Sequence, residues 1–295
     1  MKGENRSSYF SLIFSMVIMG TIGIFRRYIP ISSGLLAFSR GILGSAFIVV
    51  FLIIKGRKLF KGLSKRNLFW LAVTGAAIGI NWMLLFEAFN YTTVAIATLC
   101  YYMQPTIVMV LSYFIFNEVM GLKKIICAIV AVIGMVLVSG ITQAGGGQGG
   151  NFKGVIYALG ASLFYASVVI LNKKIKNVDI YEKTAVQLFS AALIMIPYLA
   201  LSQGFSGIVL DGEVMGLILL VGIVHTGIAY VFYFGSMPGL KAQTIAVFSY
   251  IDPIVALLAS AIFLKEALSP AGIIGAILIL GAAFISEVDF KNKAS

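Results

Sequence analysis

Residues 250–266 read YIDPIVALLASAIFLKE, an apolar run that carries an aspartate directly before a proline. The same pattern stands earlier in the chain, where residues 102–118 read YMQPTIVMVLSYFIFNE. Sliding the sequence by 148 residues places Tyr102 on Tyr250, Pro105 on Pro253, Ser112 on Ser260 and Glu118 on Glu266. The chain therefore repeats itself. The register also sets Gln104 against Asp252, an amide in one copy facing a carboxylate in the other.

Working outward, composition names the solvent. The chain is 60% hydrophobic and only 11% charged, with a mean hydropathy of +1.01, whereas a soluble domain is roughly a quarter charged. A membrane-crossing helix needs about 20 mostly apolar residues, and runs of that kind recur ten times between Phe10 and Ser286. The expected fold is thus an all-α membrane protein of ten transmembrane helices. They form two five-helix repeats, residues 1–142 and 152–295, joined by a Gly-rich linker over 143–151. Five is odd, so the second repeat enters the bilayer inverted relative to the first. The first apolar run is read as a span, because it is long and lacks a small-residue cleavage site.

The formal net charge of +11 raises the question of a nucleic-acid partner, which the charge distribution answers. Of the 22 Lys and Arg, Arg26, Arg27, Lys153 and Lys265 fall on one side of the expected spans, Arg40 lies inside a helix, and the rest gather on the other side. That is the positive-inside bias of a membrane protein. It places both termini in the cytoplasm and the 143–151 linker outside, in a multi-pass protein of the cell membrane. The lipid bilayer is the expected partner and nucleic acid is not.

Catalysis is not expected. Cys100, Cys127 and the single histidine, His225, cannot supply a zinc set, and the Gly-rich stretch precedes no Lys-Ser or Lys-Thr pair that would make it a phosphate cradle. No cofactor and no metal is expected, and the two cysteines are read as packing residues.

The chain resembles the drug/metabolite transporter superfamily, specifically its EamA-type members. The likeness rests on AFSRGILGSA around Arg40, on NYTTVAIATLCYYMQP and GLKAQTIAVFSYIDP leading into the two prolines, on Glu118 and Glu266 closing the fourth and ninth spans, and on IVAVIGMVLVSG and IGAILILGAAFIS after them. It implies a secondary transporter that exposes a central cavity to each side in turn, commonly an exporter of amino acids or other small metabolites. Inverted repeats point the same way on physical grounds, since their interface can open to either face with the site near the midplane. A passive facilitator is the alternative, as is a homodimer to a monomer.

Candidate site residues follow from cost. Asp252 lies about 12 residues from either end of its span, or about 18 Å deep at 1.5 Å per residue. A charge there must be paired, neutralised or hydrated, so Asp252 faces a cavity, exchanges a proton, or locks to Arg40. Arg40 can reach either Asp252 or a substrate carboxylate. His225 sits at a similar depth and is either a packed, hydrogen-bonded group or a proton relay. Pro105 and Pro253 mark kinks in matching helices. Tyr102, Tyr250, Trp82 and Tyr230, with Gln104, are the expected cavity walls, supplied by the third, fourth, eighth and ninth spans. Glu87 is expected at the outer interface.

Overall fold

The computed structural model describes residues 6–57, 63–116, 121–139, 152–202, 211–240 and 242–287. Among these residues the chain is helical throughout, with no strand. Eight stretches are long and apolar enough to cross a membrane: Arg6–Tyr28, Ser33–Ile54, Lys65–Tyr91, Val94–Phe116, Leu122–Ser139, Phe152–Asn172, Ile180–Leu201 and Gly212–Gly239. The ninth span is divided into Ala242–Phe248 and Ile251–Phe263, and Pro270–Glu287 is the tenth. These are the ten expected helices. Side-chain oxygens close several ends. Ser32 accepts from the Leu35 amide, Thr93 from Ile96 and Asp211 from Val214, which satisfies backbone donors that hydrocarbon cannot.

The packing has an internal two-fold. The third span lies on the sixth as the first lies on the eighth. The third also meets the seventh as the second meets the eighth, and the fourth meets the sixth as the first meets the ninth. The second packs on the seventh, the fourth on the ninth and the fifth on the tenth, each with its own counterpart. Exchanging the repeats maps these contacts onto one another, as a pseudo-symmetric pair of inverted units requires. The fifth and tenth spans cross where a Cβ on Gly134 would lie 2.7 Å from the Gly275 carbonyl oxygen, and one on Gly275 2.5 Å from that of Gly134. Backbones can approach so closely only through glycine. Away from the bundle, Ile126, Ile129, Ile133, Ile273, Ile274 and Ile277 are exposed, a surface suited to lipid rather than water.

Four spans are irregular, and all four border the centre. The first breaks at Thr21, between Gly20 and Ile22. The fourth breaks at Tyr102 and Met103, and the ninth at Ser249 and Tyr250. The eighth carries a π-helical stretch over Leu220–Ile228. Non-helical backbone at this depth is tolerated where it is buried in protein or lines a cavity.

Candidate functional site

The prolines open new helical segments rather than bending continuous ones. Pro105 is the second residue of Gln104–Phe116 and Pro253 the third of Ile251–Phe263. There the missing N–H costs no intrahelical bond. Gln104 and Asp252 consequently sit in the first turn of a half-helix, whose positive end offsets part of the cost of a buried carboxylate. Asp252 also accepts a 2.7 Å hydrogen bond from the Tyr102 hydroxyl of the other repeat. Gly20 makes room for this arrangement, since a Cβ there would lie 2.5 Å from the Asp252 carbonyl oxygen.

Between the repeats lies a cavity of about 450 Å³. Arg40, Trp82, Tyr102, Gln104, Pro105, Tyr230, Tyr250 and Asp252 all line it, as do Tyr101, Tyr165 and Tyr233. The Arg40 guanidinium lies 3.9 Å from the centroid of Trp82, with Phe86 at 5.7 Å, a cation–π stack. Its Nε donates to Thr226 Oγ1 at 2.8 Å. Thr226 is placed there by the π-helical stretch, where its own hydroxyl donates to the Val221 carbonyl at 3.1 Å. Neither Arg40 nor Asp252 belongs to the ion pairs found among the described residues, Arg27–Glu266 and Arg57–Asp179. The site therefore presents a guanidinium whose Nη groups make no hydrogen bond to the described residues and a carboxylate with one oxygen bonded to tyrosine, in a cavity walled by aromatic rings.

His225 and Pro253 do not line this cavity. The Nε2 of His225 lies 3.0 Å from Thr21 Oγ1, and its ring meets Phe25 edge-on at 4.8 Å. The histidine thus joins the eighth span to the break in the first. Glu87 accepts from Ser33 Oγ at 2.7 Å and Asn90 Nδ2 at 3.0 Å, and Arg26 donates to Asn90 Oδ1 and Ser33 Oγ from the same cluster. Glu118, the repeat partner of Glu266, lies outside the described residues.

Sequence reasoning missed the first, sixth and seventh spans as walls. Met16 and Met19, Tyr165 and Asn172, and Thr184 and Gln187 face the cavity from them. Gln187 Nε2 donates to Thr74 Oγ1 at 2.7 Å and to Asn172 Oδ1 at 2.9 Å. A glutamine in an apolar span is itself a signal, because an amide in hydrocarbon needs partners. No group of three His, Cys, Asp or Glu suited to a metal occurs among the described residues.

Comparison with known proteins agrees with this architecture. A family model described as the EamA-like transporter family matches the chain twice, over residues 6–140 and 152–287. The uncharacterized transporter YxxF of Bacillus subtilis (strain 168) is 27% identical over 292 residues, 99% of this chain and 93% of that one. A probable amino-acid metabolite efflux pump of Salmonella typhimurium (strain LT2) is 26% identical over 209 residues, 67% of this chain and 69% of that one. A solved crystal structure shares the fold with a TM-score of 0.64 at 19% identity, covering 95% of this chain and 96% of that one. Two matched repeats, ten helices about a pseudo-two-fold and a cavity between the halves lead to one conclusion: the chain belongs to the EamA-like transporter family.

Proposed function

We propose that the protein is a secondary active transporter that exports a small zwitterionic metabolite, an amino acid or a related amine, across the cytoplasmic membrane by alternating access with a proton as the coupling ion. The observation that carries this reading is that Arg40 and Asp252 line one cavity without pairing with each other. Arg40 offers a planar fork to a carboxylate, and Asp252 offers an acceptor to an ammonium. Trp82, Tyr102, Tyr230 and Tyr250, with Gln104, wall the space between and around them. A carboxylate that holds an ammonium cannot hold a proton at the same time, so solute leaving Asp252 on one side and a proton arriving from that side gives antiport. The name of the Salmonella relative, an amino-acid metabolite efflux pump, supports the solute class.

The lysine-rich face supports the orientation. Asn172, Gln187 and Met237 line the cavity, and they lie toward the ends that the positive-inside bias assigns to the cytoplasm. In this reading both termini are cytoplasmic and residues 143–151 join the repeats outside. Counterflow in proteoliposomes over a panel of amino acids, amines and carboxylic acids, with and without an imposed pH gradient, tests the proposal. Accumulation of a zwitterion driven by the proton gradient is expected. Equal permeation of solutes whatever their charge, with no response to the gradient, would overturn it in favour of a passive facilitator.

A further inference from the structure

We propose that Glu266 is the residue that holds the Arg27-bearing end of the transport path shut, so that its release is an obligatory step of the transport cycle; the proposal rests on the alternating-access reading above. The ninth span ends at Phe263, and Lys265 follows in the left-handed region at φ 58°. That turn sends the Glu266 amide back to the Ser260 carbonyl at 3.3 Å, an arrangement typical of a helix C-terminus. The side chain is thereby folded over the bundle. Its Oε1 pairs with Arg27 Nη2 at 2.7 Å, while its Oε2 accepts from the Val94 backbone N–H at 2.8 Å and the Ser260 hydroxyl at 2.6 Å. The same Arg27 Nη2 donates to the Thr92 carbonyl at 2.8 Å. One carboxylate from the second repeat therefore ties together the end of the first span and the start of the fourth, both from the first repeat.

Two features separate this contact from an ordinary surface ion pair, which contributes little. The Glu266 side chain is only 16% exposed although Arg27 stands at the surface, and the carboxylate also meets the unsatisfied N-terminus of a helix. The neighbouring Arg26, Ser33, Glu87 and Asn90 cluster lies wholly within the first repeat, so it can ride with that repeat as a unit. The Glu266 contact crosses between repeats and must break if they part at this end. Thr98, one turn along from Val94, already lines the cavity. Glu266 thus closes the path just beyond the chamber.

The test is sidedness of labelling in intact protein, which needs no knowledge of the solute. In a background carrying Cys100→Ala and Cys127→Ala, Thr98→Cys reports access when an impermeant maleimide is applied to cells or to inverted vesicles. Glu266→Gln is expected to raise the labelling rate from the Arg27-bearing face roughly tenfold, the effect of losing a charge-assisted contact on a two-state equilibrium, and to lower it from the other face. Arg27→Gln removes the opposite half of the contact and should move both rates in the same directions, while Glu266→Asp should restore part of the protection. Rates unchanged in both neutral variants would overturn the role of Glu266. Equal labelling of the Thr98→Cys parent from both faces would instead overturn alternating access itself.

Discussion

In the fourth span the helix stops at Tyr101, turns through Tyr102 and Met103 and restarts at Gln104; in the ninth it stops at Phe248, turns through Ser249 and Tyr250 and restarts at Ile251. Proline is the second residue of the restarted segment in the fourth span and the third in the ninth, and both restarts point the positive end of a half-helix at the cavity. The polar group at that end differs. Asp252 is bonded by Tyr102 from across the repeat boundary, whereas Gln104 Oε1 is shielded from solvent with no hydrogen-bond partner among the described residues. The break is a property of the fold and occurs in both halves. The carboxylate belongs to one half only, so a scaffold with two-fold symmetry holds an asymmetric cavity, and under the proposed function the solute takes one orientation in it.

Removing that difference should have the largest effect. Asp252→Asn makes the ninth span resemble the fourth, and gradient-driven uptake of the zwitterion into proteoliposomes is expected to fall about a hundredfold, since losing a buried ionic hydrogen bond costs about 2–3 kcal/mol. The response of the residual flux to pH should vanish with it, while exchange of bound solute survives. Arg40→Lys keeps the charge at the other pole but loses the planar fork and the stack on Trp82. The KM for a carboxylate-bearing solute should rise roughly tenfold with little change in its KM for the decarboxylated amine. Gln104→Glu makes the fourth span resemble the ninth instead. A second carboxylate should shift selectivity toward a cationic amine over the zwitterion by about fivefold, roughly 1 kcal/mol, measured by competition. Tyr102→Phe leaves both breaks intact and deletes only the bond to Asp252. Transport should fall about two- to fivefold, as expected for one hydrogen bond, with the melting temperature nearly unchanged.

The residues explain why some of this was legible in sequence and some was not. The repeat could be read because Tyr, Pro, Ser and Glu recur in register, and the cost of a midplane carboxylate singled out Asp252 without any knowledge of its neighbours. Tyr102 was legible as a wall but not as the Asp252 donor, because that bond depends on how two breaks far apart in the chain face each other. The π-helical stretch in the eighth span was hidden. Nothing in LVGIVHTGI departs from an ordinary apolar helix, yet the wider turn delivers Thr226 to Arg40 and leaves His225 against Thr21. Depth along a span could be counted from the sequence, but the direction a side chain faces around the helix axis could not, once the turn ceased to be regular.

If Asp252 and Arg40 hold opposite ends of one solute, competition between ligands that lack one end or the other will reveal it. The best-transported zwitterion of the counterflow panel is taken with its decarboxylated amine and its deaminated acid, and the affinity of each is measured for the parent protein and for Asp252→Asn. The variant is expected to lose affinity for the zwitterion and the amine by a similar factor, about tenfold or more, and to bind the acid as the parent does. An equal loss for all three ligands, or no loss for any, would contradict it, leaving Asp252 as a polar residue that shapes a helix break without touching the solute.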